Sequence, residues 1–377
     1  MMNDINNLFF ELIQVAIGTR ICLSHTPSAD EWGELYAMAK KQSLVGVCFA
    51  GVHRLQEQQQ ASTSTSSAQA EMLYLRWLGM AAKIQQMSEE HRRVLKVVSE
   101  FLNKKGYRAV FMKGLTCAER YPDPLLRQCG DIDFVVREED FNEVMKVLEE
   151  IAEVDHDLVH EHHGMAHIGG VQLEPHYKIH NYQNPWNDRM MRSLQQELLN
   201  DKERCMMRIG QAEIEKFPLE FEGMFLVSHM VNHVYEEGLG LRQVMDFAMW
   251  LKEVRECATF DSVTYRGYLR KMHMERAAKI FTYICVKYLG TDQFTMGYAY
   301  SKMEEDFAEK LLEDIMAVGN FARGAEERPE AGWQAYWWTT KRAWRLGYLC
   351  PSEARWWPVS KFVRFFDKKL NSDKYKH

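Results

Sequence analysis

KGLTCAERYPDPLLRQCGDIDFVV, residues 113–136, ends in a run of β-branched and aromatic residues entered through two aspartates. That run, IDFVV (132–136), and the preceding YRAVFM (107–112) both have the composition of short strands, and a helix is expected between them at 115–120. Successive side chains of a strand point to opposite faces. Asp131 and Asp133 therefore project together, and Ile132 and Phe134 face the other way. Two carboxylates held so close repel unless a cation lies between them. Hard divalent ions such as Mg²⁺ suit carboxylate oxygens and keep positions open for substrate phosphates.

Downstream, the pattern predicts a helix over 138–151 and strands near 153–160, 164–168 and 171–177. In VQLEPHY (171–177), period-two alternation puts Gln172, Glu174 and His176 on one face and Val171 and Leu173 on the other. Glu174 is thus the best candidate for a third acid beside Asp131 and Asp133, with Asp155 and Asp157 as rivals. Pro175 suits an edge strand or a strand end. Residues 106–215 accordingly form an expected α+β block with a mixed sheet. All-helical regions flank it at 1–105 and 216–377, signalled by helical spacing such as Leu8, Leu12, Val15 and by a long helix over 70–104. The polar stretch 56–69, QEQQQASTSTSSAQ, is expected to be an exposed loop.

Lys113-Gly114, Tyr121-Pro122-Asp123-Pro124, Arg127, Gly130-Asp131-Ile132-Asp133 and Glu174-Pro175-His176 form an ordered set. It resembles the nucleotidyltransferase superfamily, with its DNA polymerase β-like fold, and more narrowly a bacterial family of uncharacterised nucleotidyltransferases. The resemblance covers about residues 106–180. It implies transfer of a nucleoside monophosphate from a nucleoside triphosphate to a hydroxyl or phosphate acceptor, with release of pyrophosphate. By the same resemblance, Asp131 and Asp133 would bridge two Mg²⁺ ions and Glu174 would ligate the second. Lys113, Gly114, Arg127 and His176 would bind the nucleotide. Lys113-Gly114 replaces the superfamily's usual Gly-Ser pair, so Lys113 would bring a charge to the triphosphate. The acceptor is not specified: a small molecule, a protein or an RNA end all fit.

The rest of the chain keeps other readings open. The net charge of −6 divides into +7 over residues 341–377 and −13 over the remainder. In the C-terminal part Trp337, Trp338, Lys341, Arg342, Trp344, Arg345, Arg355, Trp356, Trp357, Lys361 and Arg364 interleave, as in surfaces that contact an anionic partner, although tryptophans at helical spacing also fill cores. The start carries no basic residue before Arg20 and no run reaches the apolar length of a membrane span, so a cytoplasmic protein is expected. Eight cysteines without a CxxC pair read as reduced thiols. Seven of the fourteen histidines fall between 156 and 180. They keep in play a metal-dependent hydrolase built on His162, His163 and His167, though HEHH lacks the HExxH spacing. A non-catalytic nucleotide-binding module is the other alternative. His229 and His233, and Arg242 and Asp246, are pairs four residues apart. Packing and an internal salt bridge are their plain reading, and closure of a helical region over a substrate is the functional one.

Overall fold

In the computed structural model of the chain, the described residues are 4–60, 68–155, 162–320, 329 and 332–370. Helices α1 (Asp4–Ile17), α2 (Ala29–Lys41), α3 (Val45–Gln60) and α4 (Ala68–Lys105) precede the first strand. The Ser28 hydroxyl and Glu31 carboxylate form a reciprocal capping box at the start of α2. Strand β1 (Val110–Met112), α5 (Gly114–Ala118), β2 (Asp131–Val135), α6 (Phe141–Leu148), β3 (Glu153–Asp155), β4 (Met165–Ile168) and β5 (Val171–His176) follow. Next come α7 (Pro185–Asn200) and the hairpin β6 (Cys205–Ile209) and β7 (Ala212–Lys216). The remaining helices are α8 (Leu219–Glu236), α9 (Leu241–Glu256), α10 (Ser262–Lys271), α11 (Glu275–Leu289), α12 (Lys302–Val318), α13 (Gly332–Arg345) and α14 (Pro351–Leu370).

The fold is α+β: a seven-stranded mixed sheet of order β3-β4-β5-β2-β1-β7-β6 with helical regions toward both termini. Two pairings are parallel, β2 with β5 and β1 with β7. Two expectations need correcting. Residues 56–60 continue α3 rather than opening a loop, because Gln and Glu are good helix formers; 61–67 lie outside the described residues. Helix α7 and the β6–β7 hairpin were not anticipated, yet β7 pairs directly with β1 in the sheet. Strand β5 is interior, and Pro175 takes the second of its two expected places, near the strand's end and beyond the last residue paired with β4.

Alternation along β2 sets the layers. Ile132 and Phe134 pack with Val94, Leu95, Val98 and Leu102 of α4 and with Val144 and Leu148 of α6. Each such buried side chain contributes about 1.5–3 kcal/mol. The opposite face, with Val110, Met112 and Val135, joins a second core that combines α1–α3 with α8–α12. Gln42, just past α2, ties these helices together: its amide donates to Ile315 O at the end of α12 (3.1 Å), and its carbonyl accepts from Leu241 N at the start of α9 (2.8 Å). Gly46 of α3 lies so close to the turn before β2 that an added Cβ would stand 2.2 Å from Leu126 O. The N-terminal helices thereby fix both the β2 approach and the first turn of α9. Among the described residues, no helix is long and apolar enough to cross a membrane.

Glu353 of α14 anchors the entry to α7, accepting from the Gln183 (2.7 Å) and Asn184 (3.2 Å) backbone N–H groups and from Asn187 Nδ2 (2.7 Å). Burial outweighs these hydrogen bonds and pushes its carboxyl up to about 7. The folded chain then holds a proton that the unfolded chain releases near pH 4.5, so this group's contribution to stability falls as pH rises from about 4.5 to 7 and is flat above. A Glu353→Gln variant, compared with the parent by urea unfolding at pH 5 and pH 7.5, is expected to lose a pH-dependent difference on the order of 2 kcal/mol. An identical pH response in both proteins would contradict this.

Candidate active site

Parallel pairing sets Asp131 opposite Gln172 and Asp133 opposite Glu174, while antiparallel pairing puts Met112 beside Asp133. The residue after Met112, Lys113, therefore enters the same neighbourhood, and its ammonium lies 3.0 Å from Asp133 Oδ1. Its backbone is at φ +55°, ψ −152°, a region occupied almost entirely by glycine. Such strain costs about 1–3 kcal/mol and persists where the surroundings impose it, commonly at functional sites. Gly114 follows at φ +39°, and a Cβ there would press to 3.3 Å from Asp131 O. A glycine is required at that turn for both reasons.

His176 Nε2 is 2.9 Å from Asp133 Oδ1 and 3.8 Å from Glu174 Oε2, and His163 Nε2 is also 3.8 Å from Glu174 Oε2. The Gln172 amide donates to Glu174 Oε1 at 2.7 Å. Charge is crowded here. Burial, then the charge of Asp133, raises the Asp131 carboxyl. Burial and both aspartates push Glu174 up to about 8. Burial also opposes ionisation of Asp133, but Lys113 and His176 outweigh it and hold Asp133 well below the usual carboxylate range. The same acids keep Lys113 charged against its own desolvation. The three acids carry more negative potential than one lysine neutralises, which is the condition of a cation site.

These residues line a cleft of about 350 Å³ whose opposite wall comes from α8 and α9. That wall carries His229 and His233, whose Nε2 atoms face each other at 3.0 Å, and Arg242. Burial lowers His180 to about 3 and His233 to about 4, so both are neutral imidazoles at neutral pH. Arg242 donates from Nη1 to Gln128 O (3.0 Å), while its Nε is buried without a hydrogen-bond acceptor among the described residues. It is not paired with Asp246. Asp246 instead takes Arg127, with Nε at 3.1 Å and Nη2 at 2.5 Å, and the Tyr121 hydroxyl at 2.8 Å. The internal salt bridge expected within α9 is thus replaced by one across the fold, because Arg127 reaches Asp246 with two donors in a buried wall.

Of the sequence-derived candidates, Lys113, Gly114, Arg127, Asp131, Asp133, Glu174 and His176 all line this cleft. Arg127 does so with its guanidinium engaged by Asp246. Asp155 lies on edge strand β3, two strands away from β5, and Asp157, His156 and His160 fall outside the described residues. His162 and His163 reach the cleft; His167 on β4 does not line it. The C-terminal tryptophans divide: Trp357 is buried, whereas Trp337 and Trp344 of α13 are exposed beside exposed Lys341. The side chain of Arg364 lies outside the described residues. Arg242, His229 and His233 reach the cleft as the closure alternative expects, from four-residue spacings on α8 and α9, whereas His180 carried no signal beyond its place among the histidines of 156–180.

The mixed sheet carries Asp-x-Asp on one strand and a third acid on its parallel neighbour, between helical regions, in keeping with the resemblance drawn from the sequence. The chain belongs to the family described as uncharacterised nucleotidyltransferase, which matches residues 28–290. It is also similar to the crystal structure of an antigenic nucleotidyltransferase-like protein from Paracoccidioides brasiliensis, at 17% identity over 51% of this chain and 93% of that chain, with a TM-score of 0.31. No curated protein matches the chain.

Proposed function

We propose that the protein transfers a nucleoside monophosphate group from a nucleoside triphosphate to a hydroxyl or phosphate acceptor, releasing pyrophosphate. The observation that carries this reading is the register placing Asp133 beside Glu174, with Asp131 on the same face and Lys113 at their edge. Three carboxylates on neighbouring strands fit two divalent ions of the Mg²⁺ type, held by Asp131, Asp133 and Glu174. Such ions neutralise the triphosphate and lower the pKa of the attacking hydroxyl. Lys113 and Arg242 flank the acids and hold the β- and γ-phosphates, so that pyrophosphate leaves toward them. Glu174, as a ligand of the second ion, would stand beside the attacking hydroxyl and help to take its proton. Arg127 acts through position: by locking Asp246 it holds α9, and hence Arg242, against the loop before β2. Neutral His180, His229 and His233 suit an acceptor that offers hydroxyl groups.

Calorimetric titration with a panel of non-hydrolysable nucleoside triphosphates, with and without Mg²⁺, tests this reading. Metal-dependent binding of a nucleotide is expected. Arg242→Ala should weaken it by about 10- to 100-fold, the worth of a lost hydrogen bond to a charged group. An absence of nucleotide binding in every condition would remove the proposal.

A further inference from the structure

The last two helices turn apolar side chains outward. On α13, Trp333, Trp337 and Trp344 are 48%, 49% and 60% exposed, and Lys341 is exposed between them. Positions 333, 337, 341 and 344 recur at helical spacing, so they form one stripe along α13. At 1.5 Å per residue that stripe is about 16 Å long. The packed side of the helix lies opposite: Ala343 joins the core, and Arg342 donates to Val234 O of α8 and pairs with Asp314 of α12. Helix α14 continues the surface with Arg355, Val359, Phe362 and Val363, all exposed. The rings of Trp333 and Phe362 stand 6.2 Å apart between centroids and join the two stripes. At the far edge is a groove of about 490 Å³, with Trp356, Val359 and Val363 on the α14 side and Arg189 and Arg192 on the α7 side. Trp186, 65% exposed, meets Trp356 there at 5.4 Å. A contiguous apolar surface of this kind marks a place of contact.

Its charge has one sign. From residue 332 to residue 363 the chain carries a single acid, Glu353, which is buried against the entry to α7. Lys341, Arg355 and Arg189 are exposed and have no acidic partner among the described residues. We propose that this surface docks the protein on an anionic lipid membrane, with the tryptophans at the level of the headgroups and the cations against lipid phosphates. Helices that lie in a membrane interface combine these features, tryptophan and phenylalanine on the buried side with lysine and arginine beside them. Single-stranded nucleic acid would stack on the tryptophans, but Val359 and Val363 offer it no ring face. A second copy using the same surface would set like charges against one another. Lipid answers both the aliphatic side chains and the unpaired cations. Lys361 of α14 pairs with Glu236 of the cleft wall, so the cleft of the docked protein lies close to the lipid. The inference is independent of the chemistry performed in that cleft.

Sedimentation of the full chain with vesicles tests it, using phosphatidylcholine alone or mixed in equal parts with phosphatidylglycerol. Binding to the anionic vesicles is expected to be about tenfold to a hundredfold tighter than to the neutral ones and to weaken as salt is raised, each cation near the surface contributing about fivefold. Tryptophan fluorescence should shift to the blue on binding and be quenched by lipid brominated near the headgroup, a readout that needs no variant. Trp337→Ser and Trp344→Ser, at exposed positions and checked by circular dichroism, should each weaken binding by about fivefold or more. Lys341→Glu combined with Arg355→Glu should abolish the preference for anionic vesicles. Vesicle binding that survives unchanged in all of these variants would place another surface on the lipid and overturn the inference. Absence of vesicle binding would overturn it too, whether the tryptophans then respond to polyuridylate or become covered in a dimer.

Discussion

Asp131→Asn and Asp133→Asn should each lower nucleotidyl transfer by about a thousandfold or more, with opposite effects on stability. The activity loss follows from removing a carboxylate whose bound cation stabilises developing charge by several kcal/mol, each 1.36 kcal/mol being about tenfold in rate. The stability effects follow from the surroundings. Asp131 is half-buried beside a like charge and its carboxyl is raised, so an uncharged asparagine relieves repulsion. Asp133 is the buried partner of half-buried Lys113, and its loss removes the carboxylate that ammonium is paired with. Release of pyrophosphate, in a metabolite and RNA extract that supplies acceptors, reads the first effect; urea midpoints read the second. Transfer that survives in Asp131→Asn would exclude the carboxylates as the cation ligands. Equal destabilisation of both variants would contradict the electrostatic account of the pair.

The acids were legible in the sequence because strand alternation is short-range. Period two along IDFVV and VQLEPHY decides which side chains share a face, and parallel pairing of the two strands then needs only a register to bring Asp133 and Glu174 together. Lys113 was legible for a similar reason, since it follows β1 directly. What the sequence could not supply was partnership over long separations. Arg127 and Asp246 are 119 residues apart, and nothing local distinguishes a buried guanidinium from a phosphate ligand. Arg242, paired on paper with Asp246 four residues on, is instead the cation left facing the cleft. The histidines behave likewise: residues 162, 163 and 176 meet through one isolated bridge, and 229 joins the opposite wall from another helix.

The fold was readable where one face of an element is strongly apolar, and unreadable where it is not. The amphipathic α6 and the two alternating strands announced themselves, but the β6–β7 hairpin did not. Met206 and Arg208 alternate with Cys205 and Met207 in a pattern with little apolar contrast, and Met206 is itself exposed. Its one local sign was Gly210, at φ +59° between the two strands. Placement of β7 beside β1 is a tertiary fact. It is backed by Glu215, whose carboxylate takes the Arg108 Nε at 3.0 Å, 107 residues away in sequence.

Asp246→Ala should be among the most destabilising single changes in the chain, costing about 3–5 kcal/mol. Asp246 is the acceptor for two Arg127 nitrogens and for the Tyr121 hydroxyl, all buried, and Arg242 stands nearby as a second cation. Its removal leaves an uncompensated guanidinium beside another, and the chain has only about 5–15 kcal/mol of stability to lose. Replacing both partners with apolar residues, Arg127→Met with Asp246→Leu, removes the charges together and should be less destabilising than Asp246→Ala, since the buried pair's Coulombic gain roughly balances its desolvation. Urea unfolding of the three proteins makes the comparison. The double variant also separates position from recognition. If Arg127 serves only to hold α9 in place, the folded double variant should keep nucleotide affinity within about tenfold of the parent, as expected when no charged phosphate contact is lost. A larger loss in a protein that remains folded would return Arg127 to the triphosphate.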